Sequence, residues 1–285
     1  MNKKVRLTEQ QLRSIIKEKV NHVLEEGIDF DYATKTVSYN PSHENNVDTS
    51  IENNPTVDET LVDGVRVWSI FKRKQGNKGD GNPLVYALKN EAGWTFTKEQ
   101  DKIDIEKQFD AIASKFASLY PIGVTILIPS TNGLNKHIAD VVMSKSENAK
   151  LVTGLICKLT TEEVADIALE FGSKFREYYK KDFNAKYEKL LEYLETMNQE
   201  HDGCFCRHLI KDPKMRDVLD CTLKVTEDKY AKYAKCVNGE DVLIIDDTIS
   251  RGQTIQAAVD ALKTSYAPKS ITVLTLLSKL YEQPK

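Results

Sequence analysis

Three short apolar runs constrain this chain more than anything else in it. They are VTILIP (124–129), VLII (242–245) and SITVLTLL (270–277), each bounded by polar or turn residues. Such runs suit strands buried on both faces of a parallel sheet, where no alternation with polar residues is needed. Around them, apolar residues recur at helical spacing. Ile103, Ile105, Phe109, Ile112, Phe116 and Leu119 predict a helix over 99–118, a shorter helix is expected over 134–145, and another from about 253 to 264. Strands alternating with helices predict an α/β fold, a mainly parallel sheet flanked by helices. A further strand is expected at 151–157 (LVTGLIC). Val65–Phe71 (VRVWSIF), Pro83–Lys89 (PLVYALK) and Trp94–Thr97 also read as strands, and the basic, glycine-rich KRKQGNKGDGN (72–82) reads as a solvated hairpin loop.

The first sixty residues have another character. Over 8–25, Thr8 with Gln11 matches a capping box, and Leu12, Ile15, Ile16, Val20, Val23 and Leu24 share one face. An N-terminal amphipathic helix within 1–26 is therefore expected, packed on the main domain or on a second copy of the chain as a homodimer. Residues 27–61 are rich in Asn, Asp, Ser, Thr and Pro. Few apolar groups there offset the entropy of ordering, which predicts a linker or irregular arm. The main domain then spans 62–285, with 62–98 as a hood over its site and a helical insertion at 161–200. Val164, Ile167, Phe171, Phe175, Tyr178, Phe183, Tyr187, Leu190, Leu194 and Met197 form the stripe of that insertion, expected as core or subunit contact.

Composition narrows the function classes. The 285 residues are 40% apolar and 29% charged with a net charge of −3, so no global basic surface invites nucleic acid or an anionic membrane. No apolar stretch is long enough for a membrane helix, and the leading segment is charged throughout, unlike a signal peptide. Five cysteines in this length do not suggest a disulfide framework. An intracellular, cytoplasmic protein is expected. His201, Cys204, Cys206 and His208 (HDGCFCRH) supply zinc-type donors, but C-x-C is not the usual spacing, and buried thiols in a loop account for them equally well.

Chemistry concentrates in VLIIDDTISRGQTI (242–255). In a parallel sheet, ligands bind beyond the carboxyl ends of the strands, where Asp246 and Asp247 stand. Adjacent residues of an extended chain point to opposite sides, so two carboxylates there can address two parts of one ligand, hydroxyls or a hydrated divalent cation. Ser250, Arg251, Gly252, Gln253 and Thr254 then open a helix. Free backbone N–H groups, hydroxyls and the helix dipole favour a phosphate there. Vicinal hydroxyls near a phosphate describe a sugar phosphate. No GxxxxGK[ST] or strand-linked GxGxxG competes.

This segment resembles the phosphoribosyl-pyrophosphate signature of type I phosphoribosyltransferases. The resemblance implies that Asp246 and Asp247 contact the ribose 2- and 3-hydroxyls and that Ser250 to Thr254 cradle the 5-phosphate. VTILIPSTNGLNKHIADVV (124–142) is similar to the family's pyrophosphate-binding element, particularly in phosphoribosyltransferases related to the ComF competence protein. There Pro129, Ser130, Thr131, Asn132 and Gly133 would form the loop, and Asn135 and Lys136 the helix start. Lys158 follows the next strand, where the family often carries a basic residue and a mobile flap. The resemblance covers roughly 120–280. It implies a Mg²⁺-dependent displacement of pyrophosphate by a nitrogenous base, the metal arriving with the ligand near Asp246 and Asp247. Arg251 stands where the family usually has a small residue, Ser250 where purine-type members carry aspartate, and 161–200 is longer than the usual flap. Three functions fit these residues: an active phosphoribosyltransferase, a non-catalytic binder of phosphoribosyl pyrophosphate or a nucleotide, and an accessory protein that retains the fold.

Overall fold

The computed structural model describes residues 27–42, 46–62, 64–74, 83–130, 133–146, 148–200, 203–206, 209–219, 223–249 and 252–278. The helix expected over 8–25 lies outside these residues, as does most of the loop at 72–82.

The three apolar runs become β7 (Val124–Leu127), β11 (Asp241–Thr248) and β12 (Ser270–Leu277) of one large mixed sheet. β11 lies between the other two and runs parallel to both, with Ile244 beside Ile126 on one side and Val273 on the other. Parallel pairing continues outward through β5 (Val65–Arg73) next to β12, and through β8 (Lys150–Val152) next to β7. On the far side of β5 the sheet turns antiparallel. β3 (Val47–Asp48) and β4 (Thr56–Val62) both pair with β5, β1 (Gly27–Asp31) pairs with β3, and β2 (Thr36–Asn40) with β1. The short β6 (Thr95–Phe96) follows β2 in parallel.

Side chains of successive strand residues enter opposite layers. Leu243, Ile245, Leu274 and Leu276 join a core with α1 (Pro83–Lys89), α2 (Glu99–Leu119) and α3 (Leu134–Met143). Helix α2 buries Ile105, Phe109, Ile112 and Phe116 there, while Ile103 and Leu119 stay on its exposed side. Val242, Ile244 and Val273 enter a second core with Ile255, Ala258, Val259 and Leu262 of α9 (Gln253–Ser265). Ile126 and Ile244 have no exposed surface, and each such burial contributes about 2–3 kcal/mol.

A third core belongs to the insertion. The chain leaves through β9 (Ile156–Lys158) and returns through β10 (Leu223–Val225), which pair antiparallel as a separate ribbon. Between them lie α4 (Thr161–Leu169), α5 (Lys174–Tyr179), α6 (Phe183–Glu200) and α7 (Pro213–Val218), and α8 (Glu227–Val237) follows β10. Thr160 and Glu163 cap α4 reciprocally: the Glu163 N–H donates to Thr160 Oγ1 at 3.2 Å and the Thr160 N–H to Glu163 Oε2 at 2.8 Å. Phe175, Phe183, Leu190, Leu194 and Met197 of the stripe are buried together as core, while Phe171 and Tyr178 stay exposed.

Several expectations are corrected. The helical insertion at 161–200 is not continuous: turns at Gly172 (φ +86°) and Lys180 (φ +41°) break it, leaving Phe171 96% exposed on the first. The expected arm at 27–61 contains strands β1 to β4 of the main sheet. PLVYALK is the helix α1, with Pro83 in its first turn where a missing N–H is harmless. Within 62–98, Val65–Arg73 is a strand of the main sheet, as its pattern predicts. LVTGLIC splits into β8 and β9 around Gly154 at φ +65°. Among the described residues no helix is long and apolar enough to cross a membrane.

Candidate functional site

β7 and β11 are neighbours, yet the chain continues from them in opposite directions, from β7 to β8 on one flank and from β11 to β12 on the other. Such a reversal of strand order opens a crevice at the carboxyl ends of the two strands. The described residues that follow them, 128–130 and 249, therefore leave the sheet side by side. The Ile128 N–H donates to Ile245 O at 3.0 Å and carries the pairing up to the point where Asp246 and Asp247 begin.

Asp246 is 8% exposed, and its Oδ1 accepts the Asp247 N–H at 2.9 Å. Burial first, and then the charge of Asp247, pushes its carboxyl up to about 7. The Asp247 N–H, the Lys89 ammonium and the Asn135 amide pull in the other direction without offsetting burial. Asn135, in the first turn of α3, is buried and donates through Nδ2 to Ile128 O at 3.0 Å. Its Oδ1 is buried with no hydrogen-bond partner among the described residues.

Asp247 has different partners. Lys89 Nζ, at the last residue of α1, makes an ion pair with Oδ2, and the two side chains are only 11% and 16% exposed. Thr248 Oγ1 meets Oδ1 at 3.0 Å. Sequence reading missed Lys89 altogether. It lies 158 positions from its partner, and a lysine ending an apolar run carries no local sign of such a pairing.

The phosphate-type loop ends in Gly252, which opens α9 at φ +76°. A Cβ added there would lie 2.9 Å from Leu61 Cγ and 3.3 Å from Leu61 O, so conformation and close approach both require glycine. Leu61, from β4, thus lies close against Gly252. Gln253 and Thr254 stand half-buried in the first turn of α9. On the neighbouring loop Ser130 is exposed and Gly133 precedes α3, with the His137 N–H donating to Gly133 O at 2.9 Å. Thr131, Asn132, Ser250 and Arg251 lie outside the described residues.

Lys136 turns along α3 to pair with Asp140 at 2.7 Å, and Lys158 sits on the separate ribbon opposite Leu223. Of the zinc-type set, His201 and His208 lie outside the described residues, Cys204 is exposed, and Cys206 is buried in the third core with its N–H 3.4 Å from Met197 Sδ. Among the described residues no group of three or more His, Cys, Asp or Glu is placed to hold a metal ion.

No family model matches this chain, and no curated protein matches it. The site stands on its own geometry.

Proposed function

We propose that the protein binds phosphoribosyl pyrophosphate with Mg²⁺ in the crevice between the ends of β7 and β11 and transfers the phosphoribosyl group to a nitrogenous base. The observation that carries this reading is the emergence of both loops from adjacent parallel strands at a reversal of strand order, with Asp246 and Asp247 between them. The carboxylates accept the ribose hydroxyls. Gly252, with Gln253 and Thr254 behind it, receives the 5-phosphate at the amino end of α9, and Ser130 and Gly133 stand on the pyrophosphate side.

Two adjacent carboxylates and the unpartnered buried Asn135 Oδ1 are hard oxygen donors, the chemistry suited to a Mg²⁺ carried in by the pyrophosphate. When bound, that ion offsets the charge of the departing pyrophosphate. The chain's own contribution is to hold the ribose, orient the 5-phosphate and exclude water, so catalysis rests on positioning and fixed electrostatics, with no covalent nucleophile.

A second reading, binding without turnover, is favoured by Lys89 on Asp247 and Leu61 against Gly252, which engage both halves of the motif within the chain itself. Turnover separates the two. With Mg²⁺, phosphoribosyl pyrophosphate and a panel of purine, pyrimidine and pyridine bases, base-dependent pyrophosphate release is expected for an enzyme. Binding with no release for any base leaves a regulator.

A further inference from the structure

We propose that Lys89, together with Thr248, is a positioning residue that fixes Asp247 as a two-pronged acceptor for a vicinal diol, so that the site selects ribose phosphates over 2-deoxyribose phosphates. The inference rests on the sugar-phosphate reading above and adds to it a residue from a part of the chain outside the motif.

An ionised carboxylate has two oxygens and about four lone-pair directions. In Asp247, one direction on Oδ2 is occupied by the Lys89 ammonium and one on Oδ1 by the Thr248 hydroxyl. One partner per oxygen fixes the plane of the carboxylate and leaves one acceptor direction on each. Two hydroxyls on neighbouring carbons match such a pair of acceptors, as the guanidinium fork does in a bidentate contact. A sugar with one of these hydroxyls missing leaves an acceptor without its donor, and buried polar sites reject such analogues strongly.

Lys89 is held in place by its own surroundings. It ends α1, where a cation complements the helix dipole. The turn behind it is fastened by the Glu91 N–H to Tyr86 O at 2.8 Å and the Trp94 N–H to Glu91 O at 3.0 Å. Asn90 and Ala92 both take left-handed backbone at φ +55° and +53°. For Ala92 that conformation is disfavoured, and it persists where surrounding structure demands it. The strained turn delivers the ammonium to Asp247 from 158 positions away in the sequence.

The test compares binding of ribose 5-phosphate and 2-deoxyribose 5-phosphate by calorimetry in wild type, Lys89→Met and Lys89→Arg. In wild type the ribose compound is expected to bind at least about 10-fold tighter, the worth of one charge-assisted hydrogen bond. Lys89→Met is expected to reduce that ratio to near one while weakening ribose 5-phosphate roughly 30-fold, and Lys89→Arg to restore most of the ratio. A purely structural role would lower both affinities together and leave the ratio unchanged, and that result overturns the inference. If Lys89→Met does not fold, Lys89→Gln is measured instead, with the same collapse expected and an unchanged ratio again decisive against it. Wild type that binds both sugars equally overturns the inference alone. Wild type that binds neither overturns it together with the sugar-phosphate reading.

Discussion

Asp246→Asn is expected to make the unliganded protein more stable at pH 8, and to leave its stability at pH 4 nearly unchanged. The carboxyl of Asp246 is pushed up to about 7 by burial and by Asp247, from an ordinary value near 3.8. Below about pH 4 the group is protonated in both folded and unfolded chains, so it adds no penalty. Between pH 4 and 7 the unfolded chain releases its proton and the folded chain keeps it, so stability falls as pH rises. Above pH 7 the penalty is complete, on the order of 4 kcal/mol for a shift of this size. Asparagine mimics the neutral acid and keeps an oxygen for the Asp247 N–H, so it removes that penalty. Urea unfolding of wild type and variant across pH 4 to 8 checks this, with curves that diverge as pH rises. Parallel curves would mean that Asp246 is not destabilised where it stands. A side chain that weakens its own fold is expected of a functional site, where activity and stability conflict.

The second large effect concerns the insertion. Phe175 is 1% exposed and packs on Tyr179 and Phe183, with ring centroids 4.9 and 6.1 Å away. Phe175→Ala is expected to cost about 3–5 kcal/mol through lost burial and the cavity left behind. Phe171, four residues earlier on the same sequence stripe and 96% exposed, is expected to change stability by no more than about 0.5 kcal/mol when replaced by alanine. Because the third core shares no residues with the other two, the loss in Phe175→Ala should fall on this unit. Hydrogen exchange is then expected to quicken in α6 while β7, β11 and β12 keep their protection. Equal losses in both regions would show that the insertion and the sheet unfold together.

How much of this was legible in the sequence depends on where each element gets its stability. Ser270–Leu277 is legible to the residue, because a run of β-branched and aliphatic residues suits a strand. PLVYALK was misread because a short apolar run carries no period that separates strand from helix. Residues 27–61 mislead because their few apolar groups leave the source of ordering out of sight. In the segment after β3, buried Asp48 accepts from the Ser50 N–H at 3.0 Å and its hydroxyl at 2.6 Å, and buried Asn54 donates to Ser50 O at 2.9 Å. Polar groups there replace apolar burial as the ordering force, which composition alone does not reveal. At the site, the aspartate pair and Gly252 were legible because strand, carboxylates and loop are consecutive. Asn135 stood at the expected helix start, although its orphaned Oδ1 could not be foreseen. Lys89 and Leu61 reach the motif only through tertiary pairing, β4 on β5 and α1 against the sheet.

The most direct measurement is calorimetric titration of phosphoribosyl pyrophosphate with Mg²⁺ into wild type and into Asp246→Asn/Asp247→Asn, both shown to be folded. Micromolar binding by wild type, lost in the double variant, is the expected result; folded wild type that takes up no ligand would contradict the central claim and leave the fold as scaffold for another role.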